Sequence, residues 1–443
     1  MTPGTASRIP AALHPFWITF LACLPILILR DPGSFLAPPV MLEDAVEMLS
    51  YYYRAPAPEE IFRFYNGYTS VGPNIIGYIA GQAPLWISSY ILHWVPIAMA
   101  AATFSAIQIR GVDLFGLDRT AKFLIALLLC LLPMANWALV SNTTYMLWNA
   151  LIFSTVLILL WTPGRGWGTT ALMGMLLVFS WTHPLFIVLA PALAVRVFTA
   201  AEIRHRIWFA AILVSVLAYM VLGLDIAARP EEVENGGPVR IVLDSALLFF
   251  SRGIFEPVFS SRLRSLMADH GLFAATVAIG AALMAAALAV AARHRIWTDR
   301  AALRTTVLLL LFAGLYTAAS VASGKALLLS GWGQRYTYPA GYLVMLLAGA
   351  GTLALLRERT ARHRILAISG VALYLLALNI VDLGYYRTAP AESRAVQGFL
   401  RQVEDLAAQD APYCGRLERG RWSITLSEDW SADRDCPVLP AGG

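Results

Sequence analysis

Long apolar stretches that contain no charged residue recur along the chain. A stretch of about 18 or more such residues can cross a bilayer as a helix, and residues 9–29 form the first. A cleavable signal peptide is disfavoured there, because the apolar region is too long and no small-residue cleavage site follows it. The whole chain predicts about eleven transmembrane helices. The other ten are about 85–108, two within 123–164 around a turn from Pro133 to Thr144, two short ones within 166–195 hinged at Thr182-His183-Pro184, and approximately 207–225, 270–292, 305–323, 337–356 and 365–383.

Three segments outside these helices are too long to be simple turns. The first contains residues 66–82, which are uncharged but interrupted by glycine and proline, and which we interpret as a membrane-edge segment. The last is polar, with a helical pattern near 391–408 followed by short irregular segments. The sequence thus predicts an all-α polytopic membrane protein, with a transmembrane domain over 1–383 and a small polar tail over 384–443. The long segments are 31–84, 226–269 and 384–443, and a further loop covers 324–336.

The composition excludes several classes of protein. Of the 443 residues, 58% are hydrophobic and 14% are charged, whereas a soluble globular protein is about half apolar and about a quarter charged. The mean hydropathy of +0.64 also excludes a disordered chain. A net charge of +5 would suggest nucleic acid as the partner of a soluble protein. In a membrane protein, an excess of Lys and Arg is typical of cytoplasmic loops. We therefore expect the lipid bilayer to be a partner and nucleic acid not to be one.

Positive charges concentrate in the loops on one side. With a cytoplasmic N-terminus, the inside loops hold 16 cations and five acids, a net charge of +11, and the outside segments hold 17 cations and 23 acids, a net charge of −6. Short cytoplasmic loops carry an excess of Lys and Arg. We therefore predict a cytoplasmic N-terminus and an extracytoplasmic C-terminus, with the long segments and their juxtamembrane helices on the outer face.

The first long segment contains three carboxylates within a span of five residues. They are Glu43, Asp44 and Glu47, and on a helix Glu43 and Glu47 share a face with Asp44 beside them. Their mutual repulsion favours proton or metal binding; alternatively, they form the acidic first turn of a surface helix. The aromatic residues nearby form either an interfacial belt or a surface on which sugars stack. These are Tyr51, Tyr52, Tyr53, Phe62, Phe64, Tyr65 and Tyr68.

Short motifs follow this acidic cluster along the chain. The pair Glu43-Asp44 comes after a first span and before Gly-Tyr-containing stretches and many further spans. The motifs are Asn66-Gly67-Tyr68, Gly77-Tyr78, Ala135-Asn136-Trp137 through Ser141-Asn142, and Gly333-Gln334-Arg335-Tyr336 with Pro339. This layout, from residue 1 to about 383, resembles the GT-C superfamily of integral-membrane glycosyltransferases, and is closest to its bacterial members. It departs from them at Ala45, where a Gly is expected, and it inverts the Asp-Glu order of other branches.

The resemblance implies an activity and a place. A sugar would pass from a polyprenyl-phosphate donor to a glycan, lipid or protein acceptor, with inversion, on the extracytoplasmic face of a bacterial inner membrane. In this superfamily an outer carboxylate activates the acceptor hydroxyl. We therefore expect Asp44 to be the general base and Glu43 to be a positioning partner or the alternative base, while Glu47 is structural. No organic cofactor is implied, and assistance by a divalent cation stays open.

A departing lipid phosphate needs cations or backbone donors to stabilise it. Arg335, preceded by glycines and followed by Tyr336, is the first candidate; alternatively, it anchors its helix to lipid headgroups. Lys325 in the same loop is the second, or else a snorkelling lysine at a helix end. Arg252, within an apolar stretch, is the third. His183 is expected to cap or pack in preference to contacting the donor.

The four cysteines divide between the spans and the tail. Cys23 and Cys130 are expected to be inert packing residues. Cys414 and Cys436 lie in the outer tail, where an oxidising compartment either joins them or leaves them reduced. Two cysteines without a histidine are too few ligands for a zinc site, so no metal site is predicted.

Two other classes of function compete with the enzyme. A transporter or flippase for lipid-linked sugars would place ionisable residues within the spans, and the eleven predicted spans are nearly free of them. A scaffold subunit would tolerate the loss of Glu43 and Asp44.

Overall fold

The computed structural model describes residues 15–30, 32–36, 38, 44–53, 57–65, 68–133, 137–223, 237–294, 298–322, 334–357, 360–386, 390–407, 414–419 and 422–427. Their helices are α1 Pro15–Arg30, α2 Pro32–Leu36, α3 Ser50–Tyr52, α4 Val71–Gly81, α5 Leu85–Ser105, α6 Arg119–Cys130, α7 Trp137–Ser141, α8 Met146–Leu160, α9 Trp167–Phe179, α10 Ala190–Thr199, α11 Ile203–Leu222, α12 Gly237–Leu248, α13 Glu256–Phe259, α14 Ser261–Asp269, α15 Phe273–Arg293, α16 Arg300–Ala322, α17 Gln334–Leu356, α18 Ala361–Tyr386 and α19 Pro390–Ala407. The strands are β1 Phe64–Tyr65, β2 Tyr68–Thr69, β3 Cys414–Arg419 and β4 Trp422–Ser427.

Five helices are long and apolar enough to cross a membrane. They are Leu85–Gln108, Ile203–Leu222, Phe273–Arg293, Arg300–Ala322 and Arg335–Leu356. Shorter apolar helices accompany them at Pro15–Arg30, Met146–Leu160, Trp167–Phe179, Pro184–Thr199 and Ile365–Ile380. Large apolar side chains cover their outer surfaces, with Val221 77% and Ile380 68% exposed, as expected where lipid is the solvent. The protein is an all-α membrane protein by these criteria, and the count of eleven spans stays a prediction.

Helix α8 is the centre of the bundle. Every residue from Met146 to Leu160 is buried, because a helix that is apolar on all sides is stable only when it is surrounded. Helices α5, α9, α10 and α17 pack around it. Its few polar side chains find partners inside: Asn149 Nδ2 donates to the Leu139 carbonyl over 2.9 Å, and Thr155 Oγ1 lies 2.6 Å from the Tyr316 hydroxyl.

A second core lies at the end of the bundle where α8 begins. One side of it is the amphipathic helix α19, whose Val396, Phe399, Leu400 and Val403 are buried against Met48, Leu49, Tyr52, Leu85 and Leu92. Helix α4 crosses the same segment so closely that a Cβ on Gly81 would lie 2.1 Å from the Tyr52 carbonyl oxygen. Glycine is therefore required at position 81.

The structure refines two predictions about these outer segments. The interrupted stretch predicted over 66–82 contains strand β2, which pairs with β1 just before the stretch, and then α4. In the tail, a helix lies where the pattern indicated one. The residues after it, predicted to be irregular, include the antiparallel strands β3 and β4, with Cys414 opposite Ser427. Their alternating residues are too few and too polar for a strong strand pattern.

Candidate functional site

Asp44 is buried against the residues that directly precede the central helix, α8. It is 2% exposed and begins a short π-helical turn, Asp44–Leu49. Its Oδ2 accepts a hydrogen bond from the Thr143 amide, and its Oδ1 accepts bonds from the Thr144 amide and hydroxyl, each over 3.0 Å. Amides just before a helix have no partner within it, and the helix dipole favours an anion there. The carboxylate is therefore held in one orientation by Thr143 and Thr144, which precede α8.

Arg335, in the first turn of α17, contacts the same turn before α8. Its Nη1 donates to the Tyr145 hydroxyl, and its Nη2 lies 3.3 Å from the Tyr336 hydroxyl. Its Cζ is 4.9 Å from the centroid of the Tyr145 ring and 5.1 Å from that of Tyr336. Because Tyr145 directly follows Thr144, Asp44 and Arg335 contact successive residues of one turn.

Four aromatic rings continue from this turn. Trp148, in the first turn of α8, lies 4.6 Å from the His183 ring and 5.4 Å from the Tyr336 ring, between centroids. The Tyr68 ring also lies 5.4 Å from the His183 ring, between centroids. The His183 Nδ1 accepts a hydrogen bond from the Leu185 amide over 3.1 Å, which confirms the predicted capping role. A neutral His183 then carries its ring proton on Nε2.

The remaining aromatic residues of the first segment are not one platform. Tyr52 and Tyr53 are buried in the second core. Tyr51 donates to Glu60 Oε2 over 2.6 Å, and the Arg63 guanidinium lies 3.5 Å from its ring centroid. Burial first, and then the hydrogen bond to Glu60, raise the pKa of Tyr51 above its usual value. These tyrosines support the segment that carries Asp44, whereas Tyr68 joins the ring cluster near α8.

Arg252 belongs to a different cluster. It lies in the π-helical turn Phe249–Phe255 and is buried with Glu256 and Arg264, each 1% exposed. Glu256 Oε2 is 3.9 Å from Arg252 Nη1 and 3.4 Å from Arg264 Nε, and its Oε1 accepts from the Ser261 hydroxyl over 2.7 Å. Neither Glu256 nor Arg264 was expected from the sequence to be part of a site. The four-residue spacing of Arg252 and Glu256 in an apolar stretch was the available signal.

Several predicted residues lie outside the described part of the chain. Glu43 and Lys325 are among them, and so is Cys436, which leaves its pairing with Cys414 a prediction. The side chain of Glu47 is likewise not described. Cys23 and Cys130 are buried free thiols, as expected. Within the described ranges, no group of three His, Cys, Asp or Glu side chains is placed to hold a metal ion.

The site joins a carboxylate, a guanidinium and aromatic faces at one end of the bundle. A carboxylate can accept a proton, a guanidinium can bind a phosphate through two parallel N–H groups, and the rings offer faces for a sugar. Comparison with protein-family models, with curated proteins and with solved structures gives no significant match.

Proposed function

We propose that the protein is an integral-membrane glycosyltransferase of the GT-C type that uses a polyprenyl-phosphate sugar donor. The observation that supports this most is the convergence of Asp44 and Arg335 on the turn 142–145. The reaction requires a base for a hydroxyl and a cation for a phosphate. The two side chains that the sequence motifs suggested for these roles meet at one end of α8.

The proposed reaction is a single displacement. The acceptor hydroxyl transfers its proton to the Asp44 carboxylate while its oxygen bonds to the anomeric carbon from the side opposite the phosphate. The anomeric C–O bond breaks, and polyprenyl phosphate departs with the electron pair, so the anomeric configuration is inverted. Glu43, one residue earlier, positions the acceptor or replaces Asp44 as the base.

The leaving phosphate is assigned to Arg335. Its planar guanidinium is held against the rings of Tyr145 and Tyr336, and such pre-organisation reduces the entropy lost on binding an anion. The Tyr336 hydroxyl adds a donor beside it. In this proposal Lys325 supplies a second positive charge from the loop before α17, whereas Arg252 serves its own buried cluster.

Helix α19 packs against the segment that carries Asp44. Its Gln397 donates to the Ser89 hydroxyl over 2.8 Å, and its apolar face fills the second core. We assign the tail to covering the site and contributing to the acceptor side. The active end would face outward in a bacterial inner membrane, with the N-terminus cytoplasmic, as the distribution of charges predicts.

The experiment uses the full chain reconstituted in liposomes. Polyprenyl-phosphate hexoses and pentoses are offered one at a time with a membrane extract as the acceptor, and the release of polyprenyl phosphate is followed. Release that depends on acceptor and on Asp44 supports the proposal. Wild-type rates from an Asp44→Asn, Glu43→Gln double variant that inserts normally would refute the base assignment.

One observation favours the flippase alternative. Buried ionisable residues are typical of transport pathways, and Arg252, Glu256 and Arg264 are buried ionisable residues packed beside α15 and α17. The same liposomes distinguish the two functions. A flippase moves an intact labelled donor to the other leaflet without cleaving it, while a transferase consumes it.

A further inference from the structure

A cavity of about 550 Å³ lies at the opposite end of the bundle from Asp44. It is formed where α8 has ended, between the residues that follow it, the end of α10, the start of α11 and the start of α16. The side chains that give it polar character are Arg196, Thr199, Glu202, His205 and Arg304. None of them belongs to the proposed transferase site.

Two arginines place positive charge at this cavity. Arg196 is fixed in place, because its Nε donates to the Ile158 carbonyl over 2.8 Å and its Nη2 to the Leu159 carbonyl over 3.0 Å. It thereby caps the last turn of α8, where a cation is favoured. Arg304 comes from the first turns of α16 and is exposed. Like charges facing one cavity repel each other unless an anion lies between them.

The acid at the cavity does not cancel this charge. Glu202 Oε1 accepts from Arg165 Nε over 2.9 Å, and its Oε2 lies 2.7 Å from Arg204 Nε. Neither Arg165 nor Arg204 is among the lining residues. Glu202 is therefore neutralised by its own two partners, which leaves the charges of Arg196 and Arg304 available for a bound anion.

His205 supplies the observation that points to a ligand. The residue is 3% exposed, and in the described part of the chain its Nε2 is buried without a hydrogen-bond partner. Such an atom is costly unless something bonds to it, so native proteins rarely leave one. Because this atom is itself buried, the imidazole has to turn toward the cavity that it lines before Nε2 can donate to an anionic oxygen there.

We propose that this cavity binds a phosphate group. Arg304 and Arg196 provide its charge complement and His205 Nε2 donates a hydrogen bond to a phosphate oxygen. The volume exceeds that of a phosphate ion and accommodates the glycerol part of an anionic headgroup. The phosphate belongs either to free inorganic phosphate or to an anionic phospholipid, and this site is independent of glycosyl transfer.

The test uses the purified full chain and two probes. Inorganic phosphate is titrated in detergent while the melting temperature is followed, and lipid retention is counted by native mass spectrometry with phosphatidylglycerol or phosphatidylethanolamine. The variants are Arg304→Gln and His205→Gln. The matched control is Arg300→Gln, which removes the same charge one helical turn away on an exposed position outside the cavity.

The outcomes distinguish the sources of the phosphate. Stabilisation by inorganic phosphate that is weakened about tenfold or more in both variants, but not in the control, supports a free-phosphate site. Retention of phosphatidylglycerol in preference to phosphatidylethanolamine, lost in the same variants, supports a lipid headgroup. Binding of neither probe, or equal binding by all four proteins, overturns the proposal. If His205→Gln fails to fold, the exposed Arg304 still decides the result.

Discussion

The guanidinium of Arg335 lies over the ring of Tyr145, with 4.9 Å between its Cζ and the ring centroid. The two residues are 190 positions apart in the chain. Thr144, next to Tyr145, binds Asp44 from 100 positions away. One turn before α8 therefore connects the acidic segment with α17, and any movement of that turn changes the surroundings of Asp44 and Arg335 together.

Replacing Asp44 by asparagine tests the general base. Asparagine keeps an acceptor oxygen for the Thr144 amide but cannot take up the acceptor proton, so we expect the transfer rate to fall by about 10²–10⁴-fold. The matched control is Thr144→Val, which removes one hydrogen bond to Asp44 and leaves its charge. It should cost about 1 kcal/mol of stability and far less activity. Equal losses in both variants would mean that Asp44 only orders the turn.

Replacing Arg335 tests the phosphate contact. Arg335→Gln removes the charge, so the KM for the polyprenyl-phosphate donor should rise by about tenfold or more. Arg335→Lys keeps the charge but loses the planar fork that lies against two tyrosine rings, and we expect an intermediate KM. Donor titrations under saturating acceptor measure this. An unchanged donor KM in Arg335→Gln would remove the residue from the site and leave it as a headgroup anchor.

The sequence was informative wherever local composition decides the structure. Uncharged stretches located the apolar helices, because lipid tolerates only backbone that is hydrogen-bonded within its own segment. The helical pattern of Val396, Phe399, Leu400 and Val403 likewise located α19. Asp44 and Arg335 were found as separate candidates from short motifs.

Contacts between residues that are distant in the sequence could not be predicted in the same way. Nothing local to Asp44 indicates that Thr143 and Thr144 will hold it, since this depends on how α5 and α8 pack. The pairing of Arg264 with Glu256 depends on a sharp reversal at Ser260, whose φ is +94°. A non-glycine residue in that conformation is uncommon, and no sequence pattern predicts it.

The buried cluster of Arg252, Glu256 and Arg264 makes a stability prediction. Glu256→Gln leaves two buried guanidiniums without the carboxylate charge between them, which should cost about 3–5 kcal/mol. The control is Asp244→Asn, which breaks the exposed pair with Arg240, where 3.6 Å separate the charged atoms, and should cost at most about 1 kcal/mol. Thermal unfolding in detergent compares them. Equal melting temperatures would show that Glu256 is not needed to balance these charges.

Close packing at Gly81 makes another prediction. A methyl group there would collide with the Tyr52 carbonyl, so Gly81→Ala must displace the segment Asp44–Tyr53 and lower activity. Gly174→Ala is the matched control: it lies inside α9, its new Cβ meets no atom within 4 Å, and alanine favours a helix by up to about 1 kcal/mol. Proteolysis of the tail and transfer assays report the difference. Full activity in Gly81→Ala would mean that the segment tolerates a shift.

The ion pairs of Glu202 with Arg165 and Arg204 predict how the stability of the protein changes in acid. The hydrogen bond from Arg165 is the main cause that lowers the pKa of Glu202, and the charges of Arg165 and Arg204 act in the same direction. A carboxyl whose folded pKa is below its unfolded value of about 4.3 stabilises the fold above that value, and this contribution disappears as the pH falls through the folded pKa. Wild-type protein should therefore lose more melting temperature below about pH 4.3 than Glu202→Gln does. Because the side chain of Glu202 is partly exposed, the difference should also shrink at high salt. Parallel acid titrations of the two proteins would contradict this assignment.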